Sequence, residues 1–318
     1  METIIGFSPH RVEVLPFAEK HMQGSDLILL EEPADPYFPK FLEGSLSADE
    51  YLSKKDFWFP GFAKESLKFL KCLYSSGCQI LQVEPYFEAL SIIQNAITRG
   101  DDLAEVLKRK DYREVYEAEN LATGKLLAYY KATLEEDFEA IIGKVIEFSK
   151  ADAERFRLRD RLRAEAIKKI LEKNRAEKVY IEAGTIHIYF KKLLHIFLKN
   201  TCQVKHAFLL EPVVKALTGK PWIFPPGELL TLRFILKRKR NPEVEKLLAA
   251  RSLIYIKIIP KEEFFPTQEE PYPHLKAELK AISLVNKLSF EDCRKLYKKL
   301  FFIKSWQDAL KEVEKLVL

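Results

Sequence analysis

The chain has 318 residues, of which 47% are hydrophobic and 31% charged, with a formal net charge of +5 at pH 7. This composition supports a sizeable core and excludes a disordered chain of low hydrophobicity. No apolar run approaches the ~20 residues of a membrane-spanning helix, and residues 1–5 have neither the basic start nor the cleavage site of a signal peptide. The four cysteines form no Cys-x-x-Cys pair, which favours reduced thiols. We therefore expect a cytoplasmic protein without a membrane span, and its many lysines and glutamates are typical of a thermophile.

Six short apolar runs, rich in β-branched residues, predict strands. They span residues 3–7, 26–31, 79–84, 178–183, 204–210 and 253–259. Nearly continuous hydrophobicity is typical of strands that are buried on both faces of a parallel sheet. Segments of helical period, such as 60–74 and 86–97, separate most of the runs, which favours right-handed β-α-β crossovers.

Helical patterns dominate the rest of the chain. One covers roughly 111–174, and three more close the chain at 273–288, 289–301 and 305–317. The predicted fold class is α/β, with a mostly parallel central sheet, crossover helices, a long helical insertion before the fourth strand and a helical C-terminal extension.

The same patterns predict the domain organisation. We expect an α/β core over 1–218, with the helical insertion at about 86–174, and a mainly helical extension over 219–318 that packs on this core. The C-terminal helices are also expected to offer a surface for a homo-oligomer.

Several well-known functional motifs are missing. The sequence has no phosphate loop, no Gly-x-Gly-x-x-Gly, no His-Glu-x-x-His and no Gly-x-Ser-x-Gly. These absences disfavour nucleotide-driven chemistry and standard α/β-hydrolases. The basic run 237–240 is too weak a signal for a nucleic-acid site, so nucleic acid is not an expected partner.

Polar residues follow four of the predicted strands. His10, Glu31, Glu84 and His187 come directly after the first, second, third and fourth runs. Because the carboxyl ends of parallel strands meet at one edge, where ligands bind, we expect these side chains to share a crevice. Imidazole and carboxylate suit a divalent ion such as Zn²⁺, Mn²⁺ or Co²⁺. Without a metal, the same groups suit a histidine base that activates water.

Two arginines interrupt the apolar stripe of the long helical pattern. Arg159 and Arg163 occupy the phase where apolar residues are expected. Burial of an unpaired guanidinium would be costly. We therefore predict that Arg159 pairs with a carboxylate at the sheet edge, either Glu31 or Glu84, and orients it or stabilises a developing oxyanion.

The order of these motifs resembles the superfamily of TraB/PrgY, the Tiki metalloproteases, the erythromycin esterases and the ChaN haem-binding lipoproteins. The resemblance rests on a strand followed by His10, a strand that ends in Glu31, the Arg-Asp helix segment 159–167, and the Gly-x-x-His of residues 184–187. It covers roughly 4–194. The first Gly-x-x-His departs from the pattern, since Phe7 takes the glycine position, and Arg163 replaces the usual Met.

The resemblance implies a metal-dependent hydrolase, similar to a peptidase or amidase. The resemblance selects His10, Glu31, Arg159 and His187, and the strand-end pattern adds Glu84. We expect the metal to bind at His10, His187 and one or more of Glu31 and Glu84, with Glu31 and Arg159 as catalytic residues acting on a peptide or small molecule. Two alternatives stay open. One is a metal-free, esterase-like hydrolase with a histidine base, and the other is a non-catalytic protein that binds a peptide or haem.

Overall fold

A five-stranded parallel sheet forms the centre of the α/β part of the protein. The computed structural model describes residues 1–54, 59–135 and 137–317. The strands are β1 (Glu2–Phe7), β2 (Leu27–Leu30), β3 (Gln79–Gln82), β4 (Lys178–Ala183) and β5 (Gln203–Phe208). They lie in the order β3-β2-β4-β1-β5, and every pair is parallel. Five of the six predicted strands are therefore confirmed, as is the parallel arrangement.

Helices connect the strands and make up the rest of the chain. In chain order they are α1 (Leu15–Met22), α2 (Tyr37–Leu42), α3 (Ala48–Leu52), α4 (Pro60–Ser75), α5 (Pro85–Arg99), α6 (Leu103–Val106), α7 (Lys110–Glu135), α8 (Phe138–Lys173), α9 (Ile188–Phe197), α10 (Glu211–Thr218), α11 (Pro226–Ile235), α12 (Pro242–Ile258), α13 (Pro273–Asn286), α14 (Phe290–Leu300) and α15 (Trp306–Val317). Proline starts several of them, including α4 and α5, because its fixed φ suits the first turn, where its missing N–H is not needed. The long insertion before β4 and the three C-terminal helices are as predicted.

The sixth predicted strand, 253–259, is wrong. These residues lie almost wholly within α12, which ends at Ile258. The helix is buried on several sides, with Leu248, Leu253 and Ile254 in its core contacts. A helix that is apolar all round gives the same continuous apolar run as a buried strand.

The chain divides into two compact units. The first comprises 1–116, 157–222 and 263–271, and the second comprises 117–156, 223–262 and 272–318. Helix α8 supplies residues to both, so the predicted insertion is divided between the units rather than belonging to the core alone. The second unit has its own helical core, to which α8, α12 and α13 contribute.

In the first unit, the two faces of the sheet have different partners. Ile5, Leu29 and Ile181 point to one face, where they form a core with the apolar sides of α8 and α9. Residues of the opposite parity, among them Leu30 and Glu182, point to the other face and line a cavity with α1 and α4. We call these the α9 face and the α4 face.

No helix within the described ranges combines the length and the apolarity that a membrane crossing needs.

Candidate functional site

Glu31 lies at the carboxyl end of β2, and its side chain is buried beneath the loop that follows β4. One carboxylate oxygen, Oε2, accepts a hydrogen bond from the backbone N–H of Gly184 at 2.5 Å. The other, Oε1, lies 2.8 Å from Nε2 of His187. Residues that follow β4 thus bind the carboxylate of Glu31, which follows the neighbouring strand β2, as expected where parallel strands end at the same edge.

His187 is the N-cap residue of α9 and is buried between two carboxylates. Its Nδ1 contacts Oδ1 of Asp160, whose other oxygen accepts a hydrogen bond from the Phe190 N–H at 2.8 Å. Burial opposes a charge on the ring, but Glu31 and Asp160 outweigh it and raise the pKa of His187 to about 9. At neutral pH His187 is therefore an imidazolium that donates from both nitrogens.

Two arginines of α8 complete the charge balance around Glu31. Nη2 of Arg159 donates to Oε1 of Glu31 at 3.3 Å and to Oε2 of Glu84 at 3.1 Å. Nε of Arg163 donates to the Val83 carbonyl at 2.8 Å. Burial raises the pKa of Glu31, but His187 and the two arginines hold it well below its ordinary value.

The predicted pairing of Arg159 with Glu31 and Glu84 is thus confirmed, with one nitrogen bridging both carboxylates. We call this group of side chains the buried ion cluster; its members are Glu31, Glu84, Arg159, Asp160, Arg163 and His187.

His10 lies at the same sheet edge but on the α4 face. Its side chain is 40% exposed, and Nε2 lies 3.9 Å from Oε1 of Glu182. The ring packs against Phe62, with 5.4 Å between ring centroids. Oε2 of Glu182 accepts a hydrogen bond from the backbone N–H of Glu31 at 3.0 Å. Glu31 therefore joins the two faces, by its side chain to the buried ion cluster and by its backbone to the Glu182–His10 pair.

A cavity of about 940 Å³ opens beside His10. Its walls come from the ends of β1 and β2, from β4, and from α1, α4 and α5, all in the first unit. The polar groups at the strand ends include Ser8, His10 and Glu182, whereas most of the remaining lining is aliphatic or aromatic. An imidazole beside a carboxylate, open to a largely apolar cavity, can accept a proton from water or a substrate.

The structure brings together three of the four residues predicted as ligands, Glu31, Glu84 and His187, while His10 lies on the other face of the sheet. Sequence reasoning gave no role to Asp160, although it is the aspartate of the Arg-Asp segment 159–167, and it missed Glu182. Glu182 carried a usable signal, since it is a charged residue that follows the apolar centre of its strand.

The predicted metal ligands do not fit a divalent ion in this arrangement. Glu31 and Glu84 are bridged by a guanidinium nitrogen of Arg159, so a cation already pairs with both carboxylates. Within the described ranges, no group of three or more His, Cys, Asp or Glu side chains is arranged to hold a metal. A metal at this site therefore remains a prediction from sequence, and no step below depends on one.

The chain was compared with known proteins. Over 291 residues it is 31% identical to an uncharacterized protein of Archaeoglobus fulgidus, in an alignment that covers 92% of this chain and 96% of that protein. No family model matches the chain. No solved structure matches it.

Proposed function

This chain belongs to the family of the uncharacterized Archaeoglobus fulgidus protein, and we propose that it is a metal-free hydrolase that cleaves a carboxylic ester or amide. One observation carries the proposal. His10 lines the cavity with its ring half-exposed, and a carboxylate that is itself held in place lies next to it. A nucleophile or base, an orienting group and a partly apolar cavity are the elements that such a reaction requires.

In this reaction His10 acts as the general base. Nδ1, the ring nitrogen that does not face Glu182, takes a proton from water while the water oxygen bonds to the carbonyl carbon and the carbonyl becomes an oxyanion. The intermediate then collapses, the bond to the leaving group breaks, and His10 returns the proton to the departing alcohol or amine. Glu182 orients the ring and stabilises its positive charge. Their 3.9 Å separation exceeds a hydrogen bond, as is common where no substrate is bound.

The buried ion cluster positions this pair. Its side chains fix the end of β2, whose Glu31 N–H in turn holds Glu182. His187 is already protonated at neutral pH and cannot act as a base. Glu31 and Arg159, which the sequence suggested as catalytic, are in this proposal positioning residues.

Membership of the TraB-like superfamily is part of the same proposal. Its support is that Glu31, Arg159 and His187, which carry the resemblance, interact directly in the fold. Among the branches of that superfamily, the erythromycin esterase type agrees best with a histidine base. Haem binding agrees less well, because no lysine or arginine is among the described residues that line the cavity and could hold its propionates.

Ester hydrolysis by tag-free protein in the presence of a chelator tests the proposal. His10→Ala should lower kcat/KM by about 10²- to 10⁴-fold, and Glu182→Gln should lower kcat with little change in KM. His195→Ala is the matched control, because this histidine is exposed on α9 and does not line the cavity. Equal activity of His10→Ala and His195→Ala would refute the proposal.

A further inference from the structure

One wall of the cavity is apolar along about two turns of α1. Leu15, Ala18 and Met22 recur at helical spacing on one side of α1 and are buried, and Val14 continues that side. At ~1.5 Å per residue, the stretch from Leu15 to Met22 measures roughly 10 Å.

Helix α4 provides a second apolar wall. Phe62, Ala63, Phe69 and Leu70 line the cavity from this helix. The hydroxyl of the intervening Ser66 donates to the Ala63 carbonyl at 3.1 Å, so its polarity is used within the helix. A ligand between α1 and α4 thus meets little but hydrocarbon, and burial of apolar surface supplies its affinity.

The charges around the cavity restrict the ligand further. Its carboxylates are Glu31, Glu32 and Glu182, whereas no lysine or arginine is among the described lining residues. A phosphate or free carboxylate would meet like charge at Glu32 and Glu182. An uncharged ligand avoids this repulsion.

We propose that the substrates are uncharged esters or amides that carry one unbranched aliphatic arm, which lies between α1 and α4 while the scissile carbonyl lies at His10. This substrate class rests on the hydrolase proposed above. Binding of the aliphatic arm depends on the cavity and not on hydrolysis, so it can be measured with a compound that is not turned over.

Two measurements test this substrate class. Methyl octanoate and octyl acetate are compared with methyl acetate, and at least one octyl-bearing ester should show a kcat/KM at least about 10-fold higher, because each buried methylene adds affinity. Methyl octyl ketone, which cannot be hydrolysed, should raise the melting temperature of both the wild type and His10→Ala.

Ala18→Leu fills the space for the arm. We expect it to abolish the preference for octyl esters and the thermal shift by the ketone. Ala63→Leu serves the same purpose on the opposite wall if Ala18→Leu does not fold. Ala104→Leu, at an exposed position outside the cavity, should change nothing.

The two proposals fail in different ways. Ketone binding without hydrolysis of any ester would overturn the hydrolase and leave the aliphatic site standing. Hydrolysis of methyl acetate with no preference for an octyl arm and no ketone binding would overturn the aliphatic site alone. An unchanged octyl preference in both leucine variants would also overturn it.

Discussion

His187 lies between two carboxylates, so its protonation state contributes to the stability of the fold. Its ordinary pKa is 6.5, and the folded protein raises it to about 9. A raised pKa means that the stabilisation is fully present below about pH 6.5 and is lost as the pH rises through about 9. A difference of this size corresponds to ~3 kcal/mol. Urea unfolding at a series of pH values should show this decline.

His187→Gln isolates that contribution. A second group also lowers the stability as the pH rises. Burial and the nearby Glu278 raise the pKa of Glu228 from 4.5 to about 8, so its contribution is lost between about pH 4.5 and pH 8. The difference between wild type and His187→Gln should therefore shrink between about pH 6.5 and pH 9. His195→Gln should follow the wild type. A constant difference across this range would contradict a charged His187.

Arg159 compensates two buried carboxylates through one nitrogen. Arg159→Met should lower the free energy of unfolding by about 3 kcal/mol or more, because Glu31 and Glu84 would stay buried without this cation. Arg159→Lys should lower the free energy of unfolding by less, since its ammonium keeps a positive charge near the two carboxylates. Both variants should lose turnover, because neither side chain can hold the end of β2 as the guanidinium does. The exposed Arg99 provides the control, as Arg99→Met should change little. Full activity of both Arg159 variants would show that the cluster does not support the site.

At the scale of elements, Gly6 determines how closely β1 can approach β4. A Cβ on Gly6 would lie 2.1 Å from the hydroxyl of Tyr180 and 2.6 Å from its ring, and Tyr180 is fully buried. Gly6→Ala should therefore destabilise the protein by at least about 2 kcal/mol. Gly143 in α8 has no atom within 4 Å of the same Cβ, so Gly143→Ala should stabilise by about 0.5–1 kcal/mol. Thermal melting should show a lower melting temperature for Gly6→Ala and a higher one for Gly143→Ala than for the wild type.

The elements also show how far the sequence was informative. The strands β1 to β5 were predictable because each contains or adjoins a short run of apolar residues bounded by turn residues. Helix α12 was not, because its burial by other helices is a property of the folded unit. Its residues from Leu248 to Tyr255 are buried apart from Arg251, so this stretch has little polar face to reveal its period.

The candidate site was predictable to a similar degree. Glu31, Glu84 and His187 could be found because strand ends share an edge, and Arg159 because it broke an apolar stripe. The position of His10 on the opposite face from His187 depends on which way the chain turns after each strand. The spacing of residues along the sequence does not reveal the direction of that turn.

At the scale of the whole molecule, the sequence suggested a boundary near residue 218, whereas the compact units are discontinuous in sequence. Each unit takes residues from three separate segments, and α8 runs from one unit into the other. Composition changes along the chain cannot reveal such a division, because a helix that contributes to two cores keeps a single apolar stripe. The long α8 matters for function because its second half, within the first unit, provides Arg159, Asp160 and Arg163.

The charge arrangement also predicts the metal content of the purified protein. A divalent ion at Glu31, Glu84 and His187 would have to displace the guanidinium of Arg159, whose Nη2 is hydrogen-bonded to both carboxylates. We therefore expect elemental analysis of tag-free protein to find no stoichiometric Zn²⁺, Mn²⁺ or Co²⁺ near neutral pH, and chelators to leave esterase activity unchanged. As a positive comparison, Arg159→Met removes the competing cation and should bind added Zn²⁺ more tightly than the wild type. A stoichiometric metal in the wild type that is lost in His187→Ala would instead support the metal-dependent hydrolase suggested by the sequence.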